Sequence, residues 1–277
     1  MEQEIKVSVV LPVYNAELYI EAAITSVLNQ SFSEFELIVI DDGSTDNSLE
    51  IIKSFTDKRI KLISRENKGL VSTLNEGVSL SQSNYIARMD ADDICHPDRF
   101  KVQYDSFQKN KALVLHSSNV RYIDDNGLIL GYSNSVISNK AVKIQLRKGN
   151  CIFHPSVMFC KKSFYKVGGY NERIPKFFED YLLWLKLKDV GDFECSYRSL
   201  LDYRLLESSL SHNRSELVIK MYKKVVDSSG EYDGIYKDFE VALSDRSFIN
   251  CHKSRTLKNF WIKFPIVMFK EILCMMK

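Results

Sequence analysis

Four times in its first 110 residues the chain carries an apolar, β-rich run into a polar or acidic cluster and then into a helical pattern. Residues 6–13 (KVSVVLPV) are nearly all apolar, and across 17–29 Ile20, Ala23, Ile24, Val27 and Leu28 share one helical face. Residues 35–40 (FELIVI) read as a buried strand and Ile60–Ser64 as a third strand, each followed by a helical stretch, at 45–55 and 69–80. Residues 85–89 make a fourth strand, and Pro97 starts the next helix. Such alternation predicts β-α-β units around a Rossmann-like, mostly parallel central sheet flanked by helices, an α/β fold. Sheets of this kind bind ligands beyond the carboxyl ends of their strands. There the chain places Asp41-Asp42-Gly43-Ser44 and Asp90-Ala91-Asp92-Asp93.

After residue 110 the rhythm loosens. Leu113–Ile123 and the turn at 124–127 predict a strand pair, 140–147 a weak helix, 153–159 a strand, Gly168-Gly169-Tyr170 a break and Glu179–Leu187 a helix. From 213 onward the pattern is helical and more polar. The expected organisation is one domain over 1–212, with a regular half (1–110) and a looser half (111–212), and a helical region over 213–277.

Hydrophobic residues at 45% and charged residues at 27% fit a folded globular chain. The net charge of +2 hides an asymmetry: residues 251–277 hold six Lys/Arg against one Glu, which leaves the first 250 at −3 and argues against a nucleic-acid partner. No apolar run of about 18 residues offers a membrane span. The first residues lack a signal peptide's apolar core, so the expected location is cytoplasmic. Cys95, Cys151, Cys160, Cys195, Cys251 and Cys274 show neither metal-site nor disulfide spacing and are expected to be reduced, mostly buried thiols.

Three carboxylates at 90, 92 and 93 repel one another unless they meet bulk water or a hard cation such as Mg2+ or Mn2+. By itself this is also what a solvated turn looks like. The same holds at 41–44, where Asp46 suits a helix cap. Glu179-Asp180 fits the favoured acidic first turn of a helix, and equally a general base held at the ligand edge. His154, between Phe153 and Pro155, has a satisfied core histidine as its default reading and substrate contact as the alternative. P-loop, G-x-G-x-x-G, H-E-x-x-H and G-x-S-x-G patterns are absent, which removes common NTPase, dehydrogenase, metalloprotease and hydrolase readings.

Order and spacing say more than any single cluster. The series Val9-Val10-Leu11-Pro12-Val13-Tyr14-Asn15, Ser26-Val27-Leu28-Asn29-Gln30-Ser31-Phe32, and Glu36 to Asp46 (ELIVIDDGSTD) resembles the opening of family 2 glycosyltransferases. Arg65-Glu66-Asn67-Lys68-Gly69-Leu70, Asn75-Glu76-Gly77, Met89 to Asp93, Gly168-Gly169-Tyr170 and Glu179-Asp180 with Leu183-Trp184 continue it, over about 5–215. The resemblance implies a GT-A fold and an inverting, nucleotide-sugar-dependent enzyme. Pro12, Tyr14 and Asn15 would line the base and ribose pocket, and Asp42 would hydrogen-bond the base, most often uracil. Arg65 and Lys68 would lie near base or phosphates. Asp90 and Asp92 match the D-x-D that holds Mn2+ or Mg2+ with a UDP-sugar, and the run of acids leaves open whether Asp92 and Asp93 are the closer metal and ribose ligands. Asp180, with Glu179 beside it, matches the catalytic base. Leu206 stands where the family often has a histidine ligand, and His212 is a displaced candidate.

The acceptor is read from the tail. Residues 258–277 mix Trp261, Phe264 and Phe269 with lysines, as interfacial helices do on anionic membranes. The expectation is a peripheral protein of the inner membrane face, transferring sugar to a lipid-diphosphate-linked saccharide in bacterial surface-polysaccharide assembly. A nucleotidyltransferase and a catalytically inactive nucleotide-sugar binder are the competing readings. The first lacks its basic Gly-rich loop here, and the second has no need of Glu179-Asp180.

Overall fold

The computed structural model describes residues 4–206 apart from 136–137, 148 and 174–177. The expected helical region at 213–277, its tail, His212, Cys251 and Cys274 lie outside the described residues. The elements run β1 (Val7–Val13), α1 (Ile20–Leu28), β2 (Phe35–Asp41), α2 (Ser48–Ser54), β3 (Ile60–Ser64), α3 (Leu70–Leu80), β4 (Tyr85–Arg88) and β5 (Ile94–Cys95). They continue with α4 (Arg99–Lys109), β6 (Leu113–Ile123), β7 (Ile129–Tyr132), α5 (Asn139–Leu146), β8 (Met158–Cys160), α6 (Lys161–Lys166), α7 (Glu179–Leu187) and β9 (Asp192–Arg204).

One sheet joins them in the order β3-β2-β1-β4-β8-β6-β9-β5, with β7 paired to β6. Strands β1, β2, β3, β4, β6 and β9 point one way, and β5, β7 and β8 run against them. The mostly parallel sheet expected from the alternation is present, and antiparallel ladders enter only after β4. Every residue of β1 and β2 is buried, because helices cover both faces, and this is why those strands read as unbroken apolar runs. Pro12 sits within β1, where its missing N–H would break a ladder. The β1–β4 register ends at Val10 and Arg88, so at Pro12 the strand has a ladder partner only on the β2 side.

Several boundaries differ from expectation, each for a local reason. Leu113–Ile123 is one long strand rather than a pair; its partner β7 follows a turn in which Asp124 Oδ1 accepts from the Asn126 and Leu128 amides at 2.9 and 2.8 Å. The strand expected at 153–159 is cut short, because Pro155 lacks an N–H and His154–Ser156 form a single 3-10 turn. Only Met158–Cys160 pair. The helix after Pro97 begins at Arg99, and α2 begins at Ser48 rather than Thr45. Cys95 and Cys195 are buried, Cys151 and Cys160 partly so, and all four are free thiols. Among the described residues no helix is long and apolar enough to cross a membrane.

Two buried residues tie the halves of the sheet together. Arg99 is fully buried and donates to the carbonyls of Arg88 (2.7 Å) and Val157 (3.0 Å) and to Gln103 Oε1 (3.1 Å). Gln103 in turn donates to the Ser156 carbonyl at 2.8 Å. These bonds satisfy carbonyls at the end of β4 and in the 3-10 turn that a buried site would otherwise leave unpaired.

Candidate active site

At the carboxyl edge of the sheet the loop after β1 is stitched to the loop after β2. The Asn15 amide donates to Ser44 Oγ (3.0 Å), Ala16 to Ser48 Oγ (2.8 Å) and Glu17 to Asp46 Oδ2 (3.0 Å), while Asn15 Oδ1 accepts from the Thr45 amide (2.8 Å). Asn15 adopts a left-handed backbone, φ 51°, a conformation that asparagine tolerates better than most residues. Pro12 is buried, and Tyr14 and Asn15 are exposed just beyond the end of the strand. Asp46 is not the cap of α2, whose N-cap is Asn47; its carboxylate accepts from the Ser48 amide (2.9 Å) and anchors the neighbouring loop through Glu17.

Asp42 is buried and organises the loop between β3 and α3. Its Oδ1 accepts from the Lys68 amide (2.8 Å) and its Oδ2 from the Gly69 amide (2.9 Å), and Arg65 pairs with it. Arg65 is turned inward, bonding Glu76 Oε2 (2.7 Å) and Thr73 Oγ1 (3.0 Å), so it ties this loop to α3; Lys68 is exposed. The fit is close: a Cβ on Gly43, whose φ is +75°, would meet the Asn67 amide at 2.8 Å. The motif Asn75-Glu76-Gly77 now has a physical account. Asn75 exchanges hydrogen bonds with the Tyr170 backbone (3.0 and 3.2 Å) and Glu76 holds Arg65. Gly77 lets α3 press on β1, where a Cβ would come within 2.4 Å of Val10 Cγ1.

Beyond β4 the ligand atoms of Asp90, Asp92 and Asp93 lie within 4.8 Å of one another. Asp93 is buried; its Oδ1 accepts from the Arg204 amide (2.9 Å), and its Oδ2 is buried with no partner. Arg204, from the end of β9, donates to the carbonyls of Asp92 (2.8 Å), Asp124 (2.7 Å) and Asp125 (2.9 Å) and lies over the Tyr19 ring at 4.6 Å. Asp90 pairs with the buried Arg88. Burial, and then Asp90, pushes the pKa of Asp92 up to about 6; burial, then Asp92 and Asp90, drives that of Asp93 well above the usual carboxylate range. Crowded acids that resist ionisation, one with an unused buried oxygen, fit a hard divalent cation.

On the other side of Arg88, α7 opens with Glu179 and Asp180. Asp180 Oδ2 accepts from Asn150 Nδ2 at 2.7 Å and Oδ1 from the Tyr181 amide at 2.6 Å. Burial, followed by Glu179, raises its pKa to about 7, against a lowering influence from Arg88. Glu179 is buried, 3.7 Å from His154 Nδ1, and His154 Nε2 meets the Tyr170 hydroxyl at 2.8 Å. Burial, and then Arg88, holds the His154 pKa well below its ordinary value, so the ring is neutral. It is a hydrogen-bonded core histidine that packs on Tyr170 and Trp184. Arg88 acts on Asp92, Asp93, His154 and Asp180 alike, so the two acidic groups share one electrostatic neighbourhood. Arg88, Asn150 and Tyr170 escape a reading of roles from sequence; an arginine inside the apolar run YIARM is the only local sign of the first.

The model of glycosyl transferase family 2 matches residues 8–169. The chain is 31% identical over 235 residues to a chondroitin synthase of Escherichia coli, covering 83% of this chain and 33% of that protein, so it spans about a third of that relative's length. It is 34% identical over 221 residues to the O-antigen biosynthesis glycosyltransferase WbnJ of Escherichia coli, covering 76% of this chain and 81% of that one. Among solved structures it is similar in fold to S. aureus TarS 1–349 in complex with UDP-GlcNAc, with a TM-score of 0.63, 20% identity, and coverage of 94% of this chain and 76% of that one. By the extent of the family match and the identity to WbnJ, this chain, with its α/β GT-A fold, belongs to glycosyl transferase family 2.

Proposed function

We propose that the chain transfers a sugar, with inversion, from a UDP-sugar to a hydroxyl of a lipid-linked saccharide in bacterial surface-polysaccharide synthesis. The observation that carries this reading is the meeting of the Asp90, Asp92 and Asp93 cluster with a raised-pKa Asp180 around one buried arginine. The UDP-GlcNAc held by the TarS structure and the O-antigen role in the name of WbnJ support the donor and product class. Residues 1–110 serve the donor and 111–212 the acceptor.

Pro12, Tyr14, Asn15 and Asp42 border the base and ribose pocket, whose wall Arg65 braces, with Lys68 exposed beside it. Asp90, Asp92 and Asp93 would hold Mn2+ or Mg2+, which when bound supplies Lewis-acid neutralisation of the departing diphosphate. Asp180 takes the proton from the acceptor hydroxyl at its carboxylate as that oxygen attacks the anomeric carbon from the face opposite the leaving group. A pKa of about 7 suits a base working near neutrality. Asn150 and the Tyr181 amide aim the carboxylate. Asn75 fixes the Tyr170 segment, whose hydroxyl bonds His154 beside Glu179.

The test is UDP release from a panel of UDP-sugars, with Mn2+ and a membrane extract, read alongside the anomeric configuration of the product by NMR. UDP release that Asp180→Asn abolishes, with an inverted product, is expected. Retention of configuration, or release unaffected by that change, overturns the reading.

A further inference from the structure

We propose that Arg88 is the resident counter-cation of the acidic site: it holds Asp90 while no divalent ion is bound, and it competes with that ion for the same carboxylate. The inference rests on Asp90, Asp92 and Asp93 being the cation ligands, as read above.

Arg88 closes β4 with 3% of its surface exposed, and its Nη1 pairs with Asp90 Oδ2. Its Nε is buried without a partner. In the same cluster Asp93 Oδ2 is a buried acceptor without a partner. A buried donor and a buried acceptor both left unsatisfied are costly, and their presence together marks a cluster that protein groups alone do not complete. The backbone that carries it is held on both sides: its amide donates to the Val157 carbonyl (3.0 Å), and its own carbonyl accepts from Arg99 (2.7 Å). Arg204, the other guanidinium at the cluster, is engaged with the main-chain carbonyls of Asp92, Asp124 and Asp125. Arg88 is therefore the guanidinium that pairs with a cluster carboxylate. A buried arginine beside crowded acids offsets their mutual repulsion, and any cation entering the cluster meets both its charge and its claim on Asp90. Arg88 is a positioning residue in this account, with no contact to substrate required of it.

The experiment is calorimetric titration of the full-length protein with MnCl2, alongside thermal melting with and without Mn2+, for wild type, Arg88→Met and Arg88→Lys. Without Mn2+, Arg88→Met should melt lower than wild type; it should bind Mn2+ about tenfold more tightly or better and gain more thermal stability from the ion, since a competing charge is gone. Arg88→Lys keeps the charge and should stay within about threefold of wild-type affinity. Equal or weaker Mn2+ binding by Arg88→Met overturns the inference, because a merely structural arginine would lower stability without tightening the ion. Should Arg88→Met not fold, the Arg88→Met/Asp90→Asn double variant decides: recovered folding supports the charge pairing, and continued failure overturns it. Wild type that binds no Mn2+ brings down the cation reading and this inference together, whereas wild type that binds it without tightening in Arg88→Met brings down the inference alone.

Discussion

At the scale of single residues the site turns on how much ionisation each carboxylate is allowed. Asp180 carries a pKa of about 7 against an ordinary 3.8, with burial the chief cause. Turnover should therefore rise with pH through about 7 as the base loses its proton, which a pH–rate profile for UDP release checks. Asp180→Asn keeps the side chain's shape but not its basicity, so turnover should fall about 10²–10⁴-fold while UDP binding persists. Stability runs the other way. A carboxyl whose pKa is higher folded than unfolded favours folding most at low pH, and that advantage is lost as pH climbs from about 4 to about 7. Asp180→Asn should accordingly melt above wild type at pH 8 and approach it at pH 5. A wild-type advantage at pH 8 would contradict the burial account.

At the scale of elements, α3 shows how one helical turn can serve two sites. Gly77→Ala places a methyl against Val10 Cγ1, a clash with a buried, branched side chain that should cost about 1–3 kcal/mol and lift the helix from β1. Because Asn75 and Glu76 ride on the same turn, UDP affinity should fall with the melting temperature; an unchanged UDP affinity would show that the helix does not set the pocket. Strands β1 and β2 were legible in sequence because burial on both faces writes them as apolar runs, β3 and β4 by their place in the alternation, and the acids after β2 and β4 pointed to the ligand edge. Strand β9 was not, since its 13 residues mix charged and apolar side chains and its pairing with β6 slips between Ser118 and Val120. The inward turn of Arg65 and the buried role of Arg88 were equally hidden, because a charged residue at a strand end reads locally as a solvated one. Asp42 was visible as an acid, but its partners at 65, 68 and 69 become neighbours only when β3 pairs with β2.

At the scale of the whole molecule, the proposed lipid-linked acceptor calls for a membrane contact, and the basic, aromatic residues of 258–277 are the candidate for it. Deleting 257–277 should abolish salt-sensitive binding to anionic liposomes and slow transfer to a long-chain lipid acceptor while sparing UDP-sugar hydrolysis, with attraction of about 1 kcal/mol per basic residue lost. Flotation of both forms at low and high salt checks it; equal flotation removes the tail's role. Within the described residues, the bonds of Asn75 to Tyr170 and of Arg99 to Val157 cross from residues 1–110, the proposed donor half, to residues 111–212, the proposed acceptor half. For anyone recombining enzymes of this family to change what they glycosylate, that crossing has a practical meaning. A chimera spliced near residue 110 takes Asn75 and Arg99 from one parent and the main-chain groups they bond at 157 and 170 from the other, so a transplant should seat cleanly only where the first parent keeps those two side chains and the second keeps the backbone course that meets them.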